Sequence, residues 1–161
     1  MLDRFSASLG KATSWLTLLM VLVTFAVVVM RYVFDLGFIW LQESVVWMHA
    51  CVFMVGAAYT LQQEEHVRVD IFYRAMTQKR RAWVDLTGVI VFLLPLCAFL
   101  CWAAFDFVLV SWRLHEASRE SGGLPYPLIS LLKSILIVMP ITLGLQGLSL
   151  LFRSIASLRR S

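Results

Sequence analysis

Apolar positions in this chain follow neither the alternation of a half-buried strand nor the one-sided stripe of a surface helix. They fall in four long unbroken runs. Ala12–Met30, Ser44–Gln63, Leu86–Phe105 and Ser134–Phe152 each go without Asp, Glu, Lys or Arg for about 19 or 20 residues. A helix of that length rises roughly 30 Å, the thickness of the hydrocarbon core of a bilayer. In lipid only helices and closed barrels satisfy their backbone groups, and barrel strands would alternate. The pattern therefore predicts an all-α integral membrane protein, a single membrane domain of four transmembrane helices. With interfacial flanks included, the spans cover about residues 12–32, 42–63, 82–112 and 128–153.

The stretches between the runs predict the rest of the architecture. Leu2, Phe5, Leu9 and Ala12 recur at near-helical spacing, with Asp3, Arg4, Ser8 and Lys11 between them. A short amphipathic N-terminal helix lying along the membrane surface is expected there. The first run is longer than the apolar core of a signal peptide and no A-x-A cleavage pattern follows it, so it reads as a retained anchor. Pro95 and Pro140 fall inside the third and fourth runs and are expected to kink them. Gly122, Gly123, Pro125 and Pro127 predict sharp turns between the third and fourth spans. From Glu64 to Asp85, nine charged side chains and His66 form a block between the second and third spans.

Composition agrees: the chain is 60% hydrophobic and 15% charged, more apolar than a soluble domain of 161 residues could hide. The net charge is +4. The basic residues flank apolar runs and form no continuous stripe, so no nucleic-acid partner is expected. Their distribution instead sets orientation. Ten lie on one side: Arg4 and Lys11; Arg68, Arg74, Lys79, Arg80 and Arg81; Arg153, Arg159 and Arg160. Four lie on the other: Arg31, Arg113, Arg119 and Lys133. The positive-inside rule puts both termini and the central block in the cytoplasm. Trp15 and Trp83 then fall near the inner boundary, Trp40 and Trp112 near the outer one, as amphipathic rings prefer.

Candidate chemistry is sparse. A transporter working alone usually carries ionisable groups deep in its spans. Here His49 sits about one and a half turns into the second span. Gln146 lies in the fourth beside Gly144 and Gly147, and Asp106 near the outer boundary. Helix packing or interfacial solvation accounts for such residues more simply than substrate binding. His49, His66 and His115 lie at different depths, so no facing pair could hold a haem. No histidine or cysteine spacing suits zinc, and Cys51, Cys97 and Cys101 read as small apolar side chains. There is no glycine-rich phosphate loop and no Ser/His/Asp set, which gives no support for an enzyme.

Within the central block, His66 to Ile71 alternates polar and apolar like a strand, although a lone strand there would lack a partner. Read as helix, His66, Asp70 and Arg74 share a face, and Asp70 would cap a short helix with Ile71, Phe72, Ala75 and Met76 against lipid. Thr77 would then cap the third span. The alternative is a solvated loop whose charges only orient the spans.

The run GAAYTLQQEEHVRVDIFYRAMTQKRRAWVDLTG, Gly56 to Gly88, resembles the signature of the DctQ-like small membrane subunit of tripartite ATP-independent periplasmic (TRAP) transporters. Its features are Gly56 and Ala57 late in span two, His66 and Asp70 as His-x-x-x-Asp, and Lys79, Arg80 and Arg81 opening span three. Upstream, Trp40, Leu41, Gln42 and Glu43 resemble the family's Trp-x-Glu-Glu, with Gln42 in place of the first glutamate. The run from Glu120 to Leu148 resembles a branch linked to 2-oxo acids and other monocarboxylates.

The resemblance implies a sodium-coupled three-part importer of an organic acid in the bacterial inner membrane. This chain would be the scaffold for a DctM-like large membrane subunit, which would hold the sodium, with no cofactor of its own. It implies that His66, Arg68 and Asp70 fix the cytoplasmic loop and contact the large subunit. Trp40, Glu43, Glu116, Glu120, Ser121, Gly122 and Gly123 would face the periplasm and help dock a DctP-like substrate-binding protein. Two other readings stay open on the residues alone: the membrane anchor of a redox complex, and a small self-sufficient homo-oligomeric transporter.

Overall fold

The computed structural model describes residues 2–62, Tyr73 and 76–160, with backbone alone for 2–7, 9, 62 and 160. Helix α1 (Leu2–Val33) and α2 (Ile39–Gln62) form the first two spans. The third is continuous from Gln78 to Arg113: α3 (Gln78–Gly88), a π-helical turn (Val89–Leu93) and α4 (Leu94–Arg113). Helix α5 (Leu128–Arg160) is the fourth. All four are long and apolar enough to cross a membrane, as their charge-free runs predict.

The N-terminal segment departs from expectation. It is not a separate helix lying at an angle to the span, because α1 is unbroken from Leu2 to Val33. Gly10 is the weakest helix former in that stretch, and its place is explained by packing. A Cβ there would overlap the ring of Tyr59, so the missing side chain lets the start of α1 approach the end of α2.

Each proline is accommodated differently. Pro95 falls in the first turn of α4, where a missing N–H costs least. The chain enters that turn through the π-helical segment, in which Leu94 N–H reaches back five residues to Val89 O. Pro140 is fully buried within α5 and does not end it.

Packing order follows from which faces carry small residues. Helix α5 is the hub, touching α2 on one side and α3 and α4 on the other, while α1 packs chiefly on α2. Among the described residues α5 carries more buried positions than any other helix, including Ile135, Pro140, Thr142, Gln146, Ser149 and Ser154. Close approach depends on one of two glycines here. Gly147 sits where a Cβ would meet Leu93 and Val89, and Gly144 faces Cys97 at an ordinary 3.7 Å. Lipid gives little hydrophobic drive for helix association, so this tight contact is what holds the spans together. Two buried hydroxyls of α5 are satisfied locally: Thr142 donates within its own helix to Val138 or Met139, and Ser154 to Leu150. By contrast the spanning part of α1 buries no residue and presents Leu18, Leu22 and Phe25 outward.

Candidate functional site

Two polar clusters lie at the ends of the bundle, with Thr142, Gln146 and Ser149 buried between them on α5. At the end bearing the α1–α2 and α4–α5 connections, a network grows from the way α4 stops. His115 takes a left-handed conformation (φ 49°), and Glu116 N–H returns to Ser111 O at 3.1 Å while His115 N–H returns to Trp112 O at 3.3 Å. This is the Schellman ending, built here without glycine. It turns the chain so that the Glu116 carboxylate meets Lys133 Nζ at 2.5 Å, with Lys133 also over the Phe107 ring at 4.1 Å. The hydrogen bond from Lys133, and secondarily one from Ser111, hold the Glu116 carboxyl below the ordinary carboxylate range.

The connection continues through a turn in which Gly123 N–H reaches Glu120 O at 3.0 Å, with Gly122 at a φ of 79° that favours glycine. The Tyr126–Pro127 peptide is cis. Glu43, in the first turns of α2, clamps this loop. Its carboxylate accepts from Ser118 Oγ through a short hydrogen bond and from Leu124 N–H at 2.6 Å. Ser118 N–H closes the ring by donating to Leu124 O at 2.9 Å. Trp40 N–H, at the helix start, donates to Gly122 O at 3.1 Å. A Cβ on Gly123 would overlap Ser118 and come within 2.7 Å of a Glu43 oxygen, so glycine is required by the clamp.

Three further links tie the helix ends beneath it. Trp47 Nε1–H donates to Leu128 O at 3.1 Å. Trp112 Nε1–H donates to Ser134 Oγ at 2.9 Å. Fully buried Ser111 and Ser130 pair hydroxyl to hydroxyl at 3.1 Å. The face above is open: Trp40, Glu120, Ser121 and Gly122 are exposed, and Glu43, Glu116 and Gly123 half-buried.

The structure thus brings Trp40, Glu43, Gly122 and Gly123 into one unit with the backbone of Glu120, and places Glu116 in a separate pair a few residues away. Ser121 is exposed at the turn and makes no contact that the network needs. Ser118, Lys133 and Trp47 are parts of the network that sequence reasoning missed. Nothing in the order of residues signals that Ser118 would meet Glu43 across 75 positions.

At the opposite end, Thr77 occupies the N-cap of α3 as expected, but its side chain makes no capping bond; its carbonyl accepts from Arg81 N–H at 3.0 Å. Tyr73 OH donates to Asp85 at 2.7 Å, and Arg81 lies over the Tyr73 ring and donates from Nε to Met76 O. His66, Arg68 and Asp70, and the short helix expected around them, lie outside the described residues.

Four apolar spans joined through small residues, with a hydrogen-bonded loop clamp at one end, define a multi-pass helical membrane component. Residues 20–159 match the family described as tripartite ATP-independent periplasmic transporters, DctQ component, and the chain belongs to it. It is 33% identical to a Vibrio cholerae protein named C4-dicarboxylate TRAP transporter small permease protein DctQ, over 116 residues making up 67% of this chain and 46% of that relative. The chain spans about half the length of the curated relative it matches. No solved structure matches it.

Proposed function

We propose that this chain is the small permease subunit of a TRAP transporter, a non-enzymatic brace for a DctM-like large membrane subunit. Membership of the DctQ family is the observation that carries this reading. The fold fits the role: the deep bundle is closed by helix–helix packing around α5, and its buried Thr142 and Ser154 hydroxyls are turned back onto their own helix. Transport chemistry would then sit in the large subunit, with sodium bound there and no cofactor needed here.

The positive-inside tally supports an orientation with both termini cytoplasmic, and the family reading supports a location in the bacterial inner membrane. The clamped loop end then faces the periplasm, where it would help dock a DctP-like binding protein through Trp40, Glu43, Glu116 and the exposed turn Glu120–Gly123. The cargo is an organic acid. The relative's name carries a C4-dicarboxylate, while the run from Glu120 to Leu148 resembles a branch linked to 2-oxo acids and other monocarboxylates.

His66, Arg68 and Asp70 would fix the cytoplasmic loop against the large subunit. Copurification tests this. The wild-type chain should retain a tagged large subunit, and Asp70→Ala should lower the retained amount and the rate of uptake together. Retention and uptake equal to wild type after Asp70→Ala would contradict the assigned contact. A wild-type chain that retains no large subunit would contradict the function.

A further inference from the structure

We propose that one face of α2 is the seam against which a transmembrane helix of the large membrane subunit packs, with His49 hydrogen-bonded to a polar side chain of that helix. The inference rests on the small-subunit reading and assigns the interface that reading leaves open. Gln42, Val46, His49, Phe53, Gly56 and Thr60 follow one another at intervals of four, three, four, three and four residues. That is the spacing by which one helix presents a continuous seam to another. In the isolated chain the middle of the seam is uncovered: Val46 is 62% exposed, Phe53 71%, and His49 lies exposed beside Phe53 at 5.1 Å between ring centroids. The buried positions of α2, Met48, Cys51 and Ala58, fall on its other side.

Two observations argue that protein rather than lipid covers this face. First, His49 lies six residues below Glu43, about 9 Å along the helix axis from the polar clamp. A ring one methylene from the backbone cannot reach back that far, unlike Lys133, whose long side chain extends to Glu116. Neutral imidazole carries one donor and one acceptor, and His49 makes no hydrogen bond or ion pair with the described residues. Second, Gly56 sits in the same seam with open space where a Cβ would be. Gly10 and Gly147 are accounted for by neighbours inside the chain; Gly56 is not, and a glycine on a spanning helix lets another backbone come close.

The occupant follows from depth. A tripartite assembly requires this component to bind another, and a periplasmic partner cannot reach a residue below the clamp. Only a partner with a transmembrane helix can, and its matching residue should be a hydrogen-bonding one such as Ser, Thr, Asn, Gln or a carboxylate.

The test uses the assembled complex in membranes, with a photo-cross-linking amino acid at Val46 or Phe53 and, as controls on outward faces elsewhere, at Phe25 or Phe92. Adducts to the large subunit from the two seam positions and none from the controls are expected. His49→Leu should reduce the large subunit retained by about three- to tenfold, and His49→Gln should keep most of it. Unchanged helicity and yield of His49→Leu alone would exclude misfolding as the cause. Normal copurification with adducts only from the controls, or only to lipid, would overturn the seam while leaving the small-subunit reading intact. An adduct of twice this chain's mass would overturn it in favour of a second copy. Failure of the wild-type chain to copurify would remove the underlying reading as well.

Discussion

Glu43 joins two parts of the chain that are far apart in sequence. Its carboxylate serves both Ser118 and Leu124, so truncation strands a backbone N–H and a hydroxyl together. Glu43→Ala should therefore destabilise the loop end by about 1.5–3 kcal/mol, and Glu43→Gln by less because one oxygen acceptor remains. Thermal unfolding in detergent, with hydrogen exchange of residues 116–124, would check this. An unchanged exchange rate would contradict the clamp.

Glu116 makes a second prediction, through pH. Its folded-state carboxyl is held below the ordinary carboxylate range by Lys133. The pairing thus adds stability that is fully present above the ordinary value and is lost as pH falls through the lowered one. Unfolding followed from neutral pH into acid should show that loss in the wild type, and Lys133→Met should remove its share. Trp40 and Glu43 were legible as a cluster because both open the second span. Their partner Ser118 was not, since a tertiary contact across a loop leaves no local periodicity.

For the elements, four charge-free runs against a 30 Å core located every span, because lipid imposes a length that soluble packing does not. Two features were less legible. The amphipathic spacing of Leu2, Phe5 and Leu9 suggested a separate surface helix, yet helix continuity through Gly10 joins it to the span. Pro95 reads as a kink, and the π-helical turn just before it was not foreseen. Which glycines matter also needed the structure. Gly147→Leu should force the third and fourth spans apart, since even a Cβ would overlap Leu93, whereas Gly144→Ala meets only an ordinary contact with Cys97. Monodisperse yield after extraction should fall sharply for the first and stay near wild type for the second. Equal yields would mean that the close approach at Gly147 does not hold the bundle.

Seen as a whole molecule, the chain has a packed hub in α5, a nearly unburied α1 and a polar clamp at one end. In the proposed role such a body would enlarge a partner's footprint in the membrane rather than carry solute itself. Membership of a three-part transporter family agrees with that division of labour. The membrane class and the family were legible from apolar runs and from the Gly56–Gly88 motif. The α2 seam was not, because exposure cannot be read until the other helices are in place. The central claim is that this subunit supports transport without performing it. Proteoliposomes should be prepared with this chain alone, and with the large subunit and binding protein added, under an inward sodium gradient. The account predicts uptake of labelled organic acid only in the complete set; accumulation by this chain alone would contradict it.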